Sequence, residues 1–214
     1  MGGLVCKLQV IPSGDHLWRS IANQPFEQVV TDPVIRSTMR KGVFFEPVSN
    51  VRRVIFLATP HEGSSWAARP LGRMAACLVQ RDSEESIRLQ QLFEANPGVF
   101  SDEVSRRLPS SVDMHNSDSQ LLQAIDRIPI SPRVPYHSVI GTGRPMCGRP
   151  ADGVVSVQSA RLPGAESEFY VDATHTQVHR RPETVAEVAR ILDEHLATHR
   201  TPDEQSACGW QPRP

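Results

Sequence analysis

Runs of apolar residues bounded by loops predict three β-strands in this chain of 214 residues. They cover residues 51–59, 135–142 and 168–173. Residues 54–58 are apolar at every position, whereas a strand with one wet face alternates apolar and polar residues. The first segment therefore predicts a strand that is covered on both faces, as strands of parallel sheets are.

Apolar residues at helical spacing predict helices over residues 66–80, 85–95, 119–128 and 182–197. The last begins with Pro182, and an amphipathic helix of this kind turns its apolar stripe toward a core. Five apolar residues share that stripe: Val185, Val188, Ile191, Leu192 and Leu196. Strands that alternate with helices predict an α/β fold with parallel pairing.

The connection between the first two predicted strands is longer than a single crossover helix needs. Long connections in compact domains usually have a functional reason, so we interpret residues at about 66–130 as a helical, lid-like insertion. Residues 198–214 have no periodic apolar pattern, which predicts a disordered tail. The remaining residues, 1–197, are predicted to form one domain.

The charge balance excludes several classes of partner. The chain has 23 Lys and Arg against 24 Asp and Glu, a formal net charge of -1, so nothing favours binding to nucleic acid or to an anionic membrane.

No stretch approaches the roughly 18 apolar residues of a transmembrane segment. The first residues have no charged region ahead of their apolar run, unlike a signal peptide, and we assign no compartment.

Polar side chains that can do chemistry follow the predicted strands. Residues 59–65 follow the first strand, residues 150–156 the second, and residues 174–183 the third. In parallel sheets the functional residues lie in loops at the carboxyl ends of the strands. Asp152 and His175 can come into contact there. An aspartate beside an imidazole orients it and stabilises its charged form during general-base catalysis.

These loops resemble those of the C-terminal part of an α/β-hydrolase of the serine esterase or lipase type. Asp152-Gly-Val-Val is similar to the acid loop of the family, and His175 precedes the last helix at a spacing similar to that of the family's catalytic histidine. Residues 59–64, Thr-Pro-His-Glu-Gly-Ser, resemble the TPHxGS loop of one bacterial branch. The resemblance implies an incomplete α/β-hydrolase fold, made of its last three parallel strands with helices and a helical lid.

The nucleophile motif of that family, G-x-S-x-G, does not occur in the sequence. The chain opens with Met-Gly-Gly, which resembles the residues that follow the serine in G-H-S-M-G-G. We therefore expect a fragment that starts one residue after the nucleophile. The residue after that serine contributes its amide to the oxyanion hole in the family, a role that the resemblance assigns to Met1.

Each assignment has an alternative. Asp152-Gly is also a common turn pair, and His179 is a rival to His175 as the base. The spacing of these two histidines also suggests metal ligation, but no third ligand presents itself and no HExxH motif is complete. We interpret His61 as shaping the site wall and His137 as a satisfied core or sheet residue.

The resemblance implies a serine hydrolase that cleaves a small acyl or lipid-like ester through a Ser-Asp-His triad, with no metal or organic cofactor. The missing serine leaves open a second reading, an inactive remnant of such a hydrolase that binds a partner. On either reading, the chain alone is expected to be inactive as an esterase.

Overall fold

The fold is built around a parallel sheet of three strands. The computed structural model describes residues 2–64, 83–106 and 119–199. The strands β1 (Val54–Leu57), β2 (Tyr136–Gly141) and β3 (Ser167–Val171) lie in the order β1-β2-β3, and both pairings are parallel. The predicted α/β class and parallel pairing are therefore confirmed, with strands slightly shorter than predicted.

The other regular elements that the structure describes are helices. In chain order they are α1 (Gly2–Leu8), α2 (His16–Ile21), α3 (Pro33–Val43), α4 (Ser83–Glu94), α5 (Asp102–Arg106), α6 (Gln120–Arg127), α7 (Val157–Ala160) and α8 (Pro182–His199), with short 3₁₀ turns at Phe26–Gln28 and Val178–Arg180. The predicted helices over residues 85–95, 119–128 and 182–197 correspond to α4, α6 and α8. The one predicted over residues 66–80 lies outside the described residues.

Local sequence explains where several helices begin. The Asp32 carboxylate accepts hydrogen bonds from the amides of Val34 and Ile35 at 2.7 and 2.9 Å, and Pro33 occupies the first turn of α3. Ser119 and Ser156 cap α6 and α7 in the same way. Each cap satisfies amides that the first helical turn leaves without a partner inside the helix.

Apolar side chains cover both faces of the sheet. Val54 and Phe56 pack with Val10 and Val134 on one face. On the other face Val139 joins a cluster of small and branched residues: Ala58, Val171, Ala173 and Val178. The continuous apolar character of β1 is thus explained by burial on two sides, although Leu57 at its end is 37% exposed.

A separate layer of helices stands beside the sheet. Trp18, Phe26 and Phe100 form its aromatic centre, with ring centroids of Trp18 and Phe26 5.1 Å apart. Leu122 and Ile125 of α6 are buried, and α6 packs against α2. Both Phe100 and α6, which lie within the segment interpreted as a lid, therefore belong to the core. The lid interpretation remains a prediction for the residues of this segment outside the core.

Helix α8 turns a different face to the sheet than the sequence predicted. Ile191 and Thr184 are buried, whereas three members of the predicted stripe are about half exposed: Val185, Leu192 and Leu196. Two polar contacts accompany this orientation: Glu187 accepts from the Ser167 hydroxyl of β3, and Arg53 donates to His195. The expectation that the whole stripe is buried was wrong.

The chain continues as helix through His199, slightly beyond the predicted start of the tail, and residues 200–214 lie outside the described residues. Among the helices that the structure describes, none combines the length and the apolar character of a membrane span.

Candidate active site

Asp152 and His175 are in direct contact. Asp152 lies in the loop after β2 and His175 in the loop after β3, so both stand beyond the carboxyl edge of the sheet. Nδ1 of His175 is 2.8 Å from Oδ2 of Asp152, and the amide of His175 donates to the carbonyl oxygen of Asp152 at 2.9 Å. The structure thus brings together the two residues that the sequence selected as acid and base.

The carboxylate of Asp152 is buried and held by its own loop. Its Oδ1 accepts hydrogen bonds from the amides of Val154 and Val155 at 2.9 and 2.7 Å, while Oδ2 faces His175. The Asp-Gly turn that was the alternative reading is therefore present, since Gly153 has φ +93°. Here the turn aims the acid at the histidine, so the two readings of Asp152 do not compete.

Two glycines allow the loops to approach. A Cβ on Gly141 would lie 2.8 Å from Cβ of Asp152, and one on Gly143 would lie 2.6 Å from the carbonyl carbon of Ala173. Contacts this short do not occur between ordinary side chains and their neighbours. The end of β2 must therefore be free of side chains for Asp152 to reach the histidine loop.

His175 has the geometry of a general base. Its side chain is 36% exposed, and its Nε2 has no hydrogen-bond partner in the part of the chain that the structure describes. In the neutral imidazole, the bond to Asp152 places the proton on Nδ1 and leaves the lone pair of Nε2 able to accept a proton. The hydrogen positions follow from this bonding pattern.

His61 belongs to the loop after β1, and its side chain is fully buried. It packs edge-on against Phe56, with ring centroids 4.7 Å apart, and neither ring nitrogen has a hydrogen-bond partner among the described residues. Burial, and then the nearby Lys7 ammonium, lower the pKa of His61 to about 3. The imidazole is therefore neutral and packs inside the protein, and its role in shaping the site wall stays a prediction.

Met1 lies outside the described residues, so its predicted place in the oxyanion hole stays a prediction. Gly3 packs closely against Thr59, since a Cβ on Gly3 would lie 2.0 Å from Oγ1 of Thr59. Thr59 is the second residue after the end of β1. The first turn of α1 therefore lies at the same carboxyl edge of the sheet as Asp152 and His175.

His179, the rival base, contacts an arginine and not the acid. His179 is exposed in the turn Val178–Arg180, where its Nε2 accepts from Nε of Arg180 at 3.1 Å. Within residues 2–64, 83–106 and 119–199, no group of three His, Cys, Asp or Glu side chains is placed to hold a metal ion.

His137 is a sheet residue with satisfied nitrogens, as interpreted from the sequence. Its Nδ1 lies 2.8 Å from the Ser167 hydroxyl, and its Nε2 contacts Arg53 near Glu166. Burial and the Arg53 charge lower its pKa. It lies near the amino ends of β2 and β3, at the opposite edge from Asp152.

A cavity of about 560 Å³ opens beside the acid loop but does not include the pair. Its wall contains Glu62, Gln158 and Arg161, and neither Asp152 nor His175 lines it. Arg161 is held there by Glu168 at 3.0 Å. We place the candidate site at Asp152 and His175, because their contact can support general-base catalysis. The ion pair of Arg161 and Glu168 at the cavity wall does not offer such chemistry.

Sequence reasoning missed the hydroxyl groups that connect the loops. Ser159 donates to the carbonyl of Gly63 at 2.6 Å, and the Ser64 hydroxyl donates to the carbonyl of Val154. The only signal available was the Gly-Ser pair at the end of the TPHEGS segment, whose partner on another loop a single sequence does not reveal. Comparison of the chain with protein-family models, curated proteins and solved structures finds no match.

Proposed function

We propose that this chain carries the acid and the base of a serine hydrolase that cleaves acyl esters. One observation carries the proposal, the 2.8 Å contact between Oδ2 of Asp152 and Nδ1 of His175 across loops that follow neighbouring parallel strands. A buried carboxylate on one imidazole nitrogen and an open second nitrogen are what general-base activation of a hydroxyl requires.

In this mechanism the nucleophilic serine attacks the ester carbonyl while Nε2 of His175 takes its proton. The buried Asp152 carboxylate stabilises the imidazolium without taking the proton itself. The tetrahedral intermediate then expels the alcohol, which leaves with the proton from Nε2. Water attacks the acyl-enzyme by the same route, since His175 accepts a proton from water and returns it to the serine.

The proposal places the serine directly ahead of Met1, as the hydrolase resemblance implies, with the amide of residue 1 in the oxyanion hole. The packing of Gly3 against Thr59 supports this placement, because it brings the start of α1 to the edge where the acid and the base lie. In the proposed fold, the described strands are the last three of an α/β-hydrolase. The substrate class is a small acyl or lipid-like ester.

The test begins with the codons read in frame ahead of Met1. A Gly-x-Ser triplet directly upstream supports the proposal, and an immediate stop codon opposes it. The chain extended by the upstream residues is expected to hydrolyse a p-nitrophenyl ester and to be labelled by a fluorophosphonate. The 214-residue chain is the control and is expected to show neither, because removal of a triad member lowers turnover by many orders of magnitude.

A second candidate function is binding of a protein partner without catalysis. The observation that favours it is the half-exposed apolar stripe of α8, formed by Val185, Leu192 and Leu196. Exposed apolar patches mark interaction sites or uncovered cores. If the extended chain is a monomer that no longer binds a hydrophobic dye, the added segment covers this stripe and partner binding loses its support.

A further inference from the structure

The Gly63-Ser64 pair lies in the loop after β1 and has no role in the proton transfers above. We propose that Ser64 is a positioning residue that holds the acid loop so that Asp152 faces His175. The inference rests on the proposed function, since it assigns this serine to the same site. It assigns a function to the buried hydroxyl of this loop.

The Ser64 side chain acts on Asp152 through one residue. Ser64 is only 6% exposed, and its hydroxyl donates to the carbonyl oxygen of Val154. The amide of the same Val154 donates to Oδ1 of Asp152 at 2.9 Å. Fixing the carbonyl of Val154 therefore restricts the rotation of the segment whose amide orients the carboxylate.

A second set of bonds fixes Ser64 itself. Oγ of Ser159 donates to the carbonyl of Gly63 at 2.6 Å, and the amide of His61 donates to the carbonyl of Ser159 at 2.8 Å. Gly63 has φ +87°, a conformation that side chains rarely adopt. The loop after β1 is thus tied both to the acid loop, through Val154, and to the helix α7 that follows it, through Ser159.

The consequence of losing the Ser64 hydroxyl is specific. The carbonyl of Val154 would be left without this donor next to a buried carboxylate, and the acid loop would shift toward another partner. Hydrogen bonds weaken steeply with distance and angle. A small movement of Val154 is therefore expected to weaken the bond between Asp152 and His175 while the sheet stays folded.

The experiment follows the His175 ring by NMR in the 214-residue chain, with Ser64→Ala as the test variant. The readouts are the downfield proton resonance of Nδ1–H in the bond to Asp152 and the ring ¹⁵N shifts that report the tautomer. Ser64→Thr restores a hydroxyl and serves as the conservative rescue. Ser13→Ala is the matched control, because Ser13 is equally buried and bonds Phe45 through its hydroxyl, away from the acid loop. Ser159→Ala tests the second tie if Ser64→Ala does not fold.

We expect Ser64→Ala to lose the downfield resonance and to shift the ¹⁵N signals toward mixed tautomers, and Ser64→Thr and Ser13→Ala to keep both wild-type signatures. Ser159→Ala is expected to behave as Ser64→Ala does. An unchanged resonance in Ser64→Ala overturns the proposal, and so does its loss in Ser13→Ala or its absence from the wild-type chain. These readouts need no turnover, so an inactive extended chain with an intact resonance would count against the proposed function alone.

Discussion

The amide of His175 donates to the carbonyl of Asp152 at 2.9 Å, and the side chains of the same residues meet at 2.8 Å. The backbone bond ties the two loops together without help from the carboxylate. The side-chain bond then decides which imidazole nitrogen carries the proton. Position in space and protonation are therefore controlled by separate contacts, which substitutions can separate.

Asp152→Asn is expected to keep the fold and to lower turnover of the extended chain by about 10⁴-fold, because the amide favours the wrong imidazole tautomer. The backbone bond to His175 keeps the loops in place. Ester hydrolysis and thermal unfolding measured on the same sample check both halves. A large loss of stability with unchanged turnover per folded molecule would show that the carboxylate is structural.

His175→Ala in the extended chain is expected to lower turnover by several orders of magnitude, because it removes the base. His179→Ala is the matched control and is expected to lower turnover by about tenfold or less. His179 is exposed and contacts Arg180 rather than the acid. If His179→Ala proves the severe change, the base must be reassigned.

Acid is expected to destabilise the chain through His61. The pKa of His61 is about 3 in the folded state against 6.5 for the free side chain. Between pH 6.5 and 3 the unfolded chain therefore binds a proton that the folded chain does not. The contribution of His61 is thus fully present above pH 6.5 and lost as the pH falls toward 3, at about 1.4 kcal/mol per pH unit.

Urea unfolding at pH 6.5 and 4.5 measures this effect. His61→Leu is expected to lose about 2 kcal/mol less than the wild-type chain between these two pH values, because the unfolded imidazole is already half protonated at pH 6.5. His179→Leu changes an exposed histidine and is expected to follow the wild type. Equal pH dependence in His61→Leu and wild type would contradict the assignment. His137, whose pKa is also lowered by burial, contributes in the same direction in all three proteins.

Gly143→Ala is expected to lower the free energy of unfolding by about 1–3 kcal/mol, because its methyl group would overlap the backbone of Ala173. Gly42→Ala in α3 is the control. A Cβ there meets no neighbour within 4 Å, and alanine is the better helix former by roughly 0.5–1 kcal/mol. Denaturant unfolding of both variants checks the opposite signs.

Lys7 and Asp126 are expected to respond unequally to substitution. The Lys7 ammonium is fully buried and donates to Oδ1 and to the carbonyl of Asp126 at 3.2 and 3.3 Å. Asp126→Ala strands a buried charge and is expected to lower the free energy of unfolding by about 3 kcal/mol. Lys7→Met removes that charge and is expected to change it by less than about 1 kcal/mol.

The double variant completes this test. Adding Lys7→Met to Asp126→Ala is expected to recover most of the lost stability, since the buried charge is then absent. A Lys7→Met variant as unstable as Asp126→Ala, with no recovery in the double variant, would show that the lysine stem and not its charge decides the outcome.

Strands and the acid-histidine pair were predictable because their signals are local. Residues 54–58 are apolar without interruption, and Asp152 and His175 follow strands whose parallel order puts them at one edge. The face that α8 buries was not predictable. That face meets residues from other parts of the chain, among them Ser167, which contacts Glu187, and Arg53, which contacts His195.

The helical layer beside the sheet was also missed. Trp18 and Phe26 have no regular apolar period around them, and Phe100 joins them from a distant part of the sequence. The ties from Ser64 and Ser159 to the neighbouring loop depend on the same kind of long-range meeting. A single sequence does not reveal which distant residues pair in this way.

The register of β1 against β2 has a consequence for how the chain reaches its native state. Val54 pairs with Tyr136, about eighty positions later, and no hairpin joins the strands. The chain loses the conformational entropy of closing this long loop before the strand pairing can stabilise it. Proteins dominated by distant contacts fold slowly for this reason. The apolar edge of β1 is therefore expected to stay unpaired through most of refolding, when neighbouring chains compete with β2 for it.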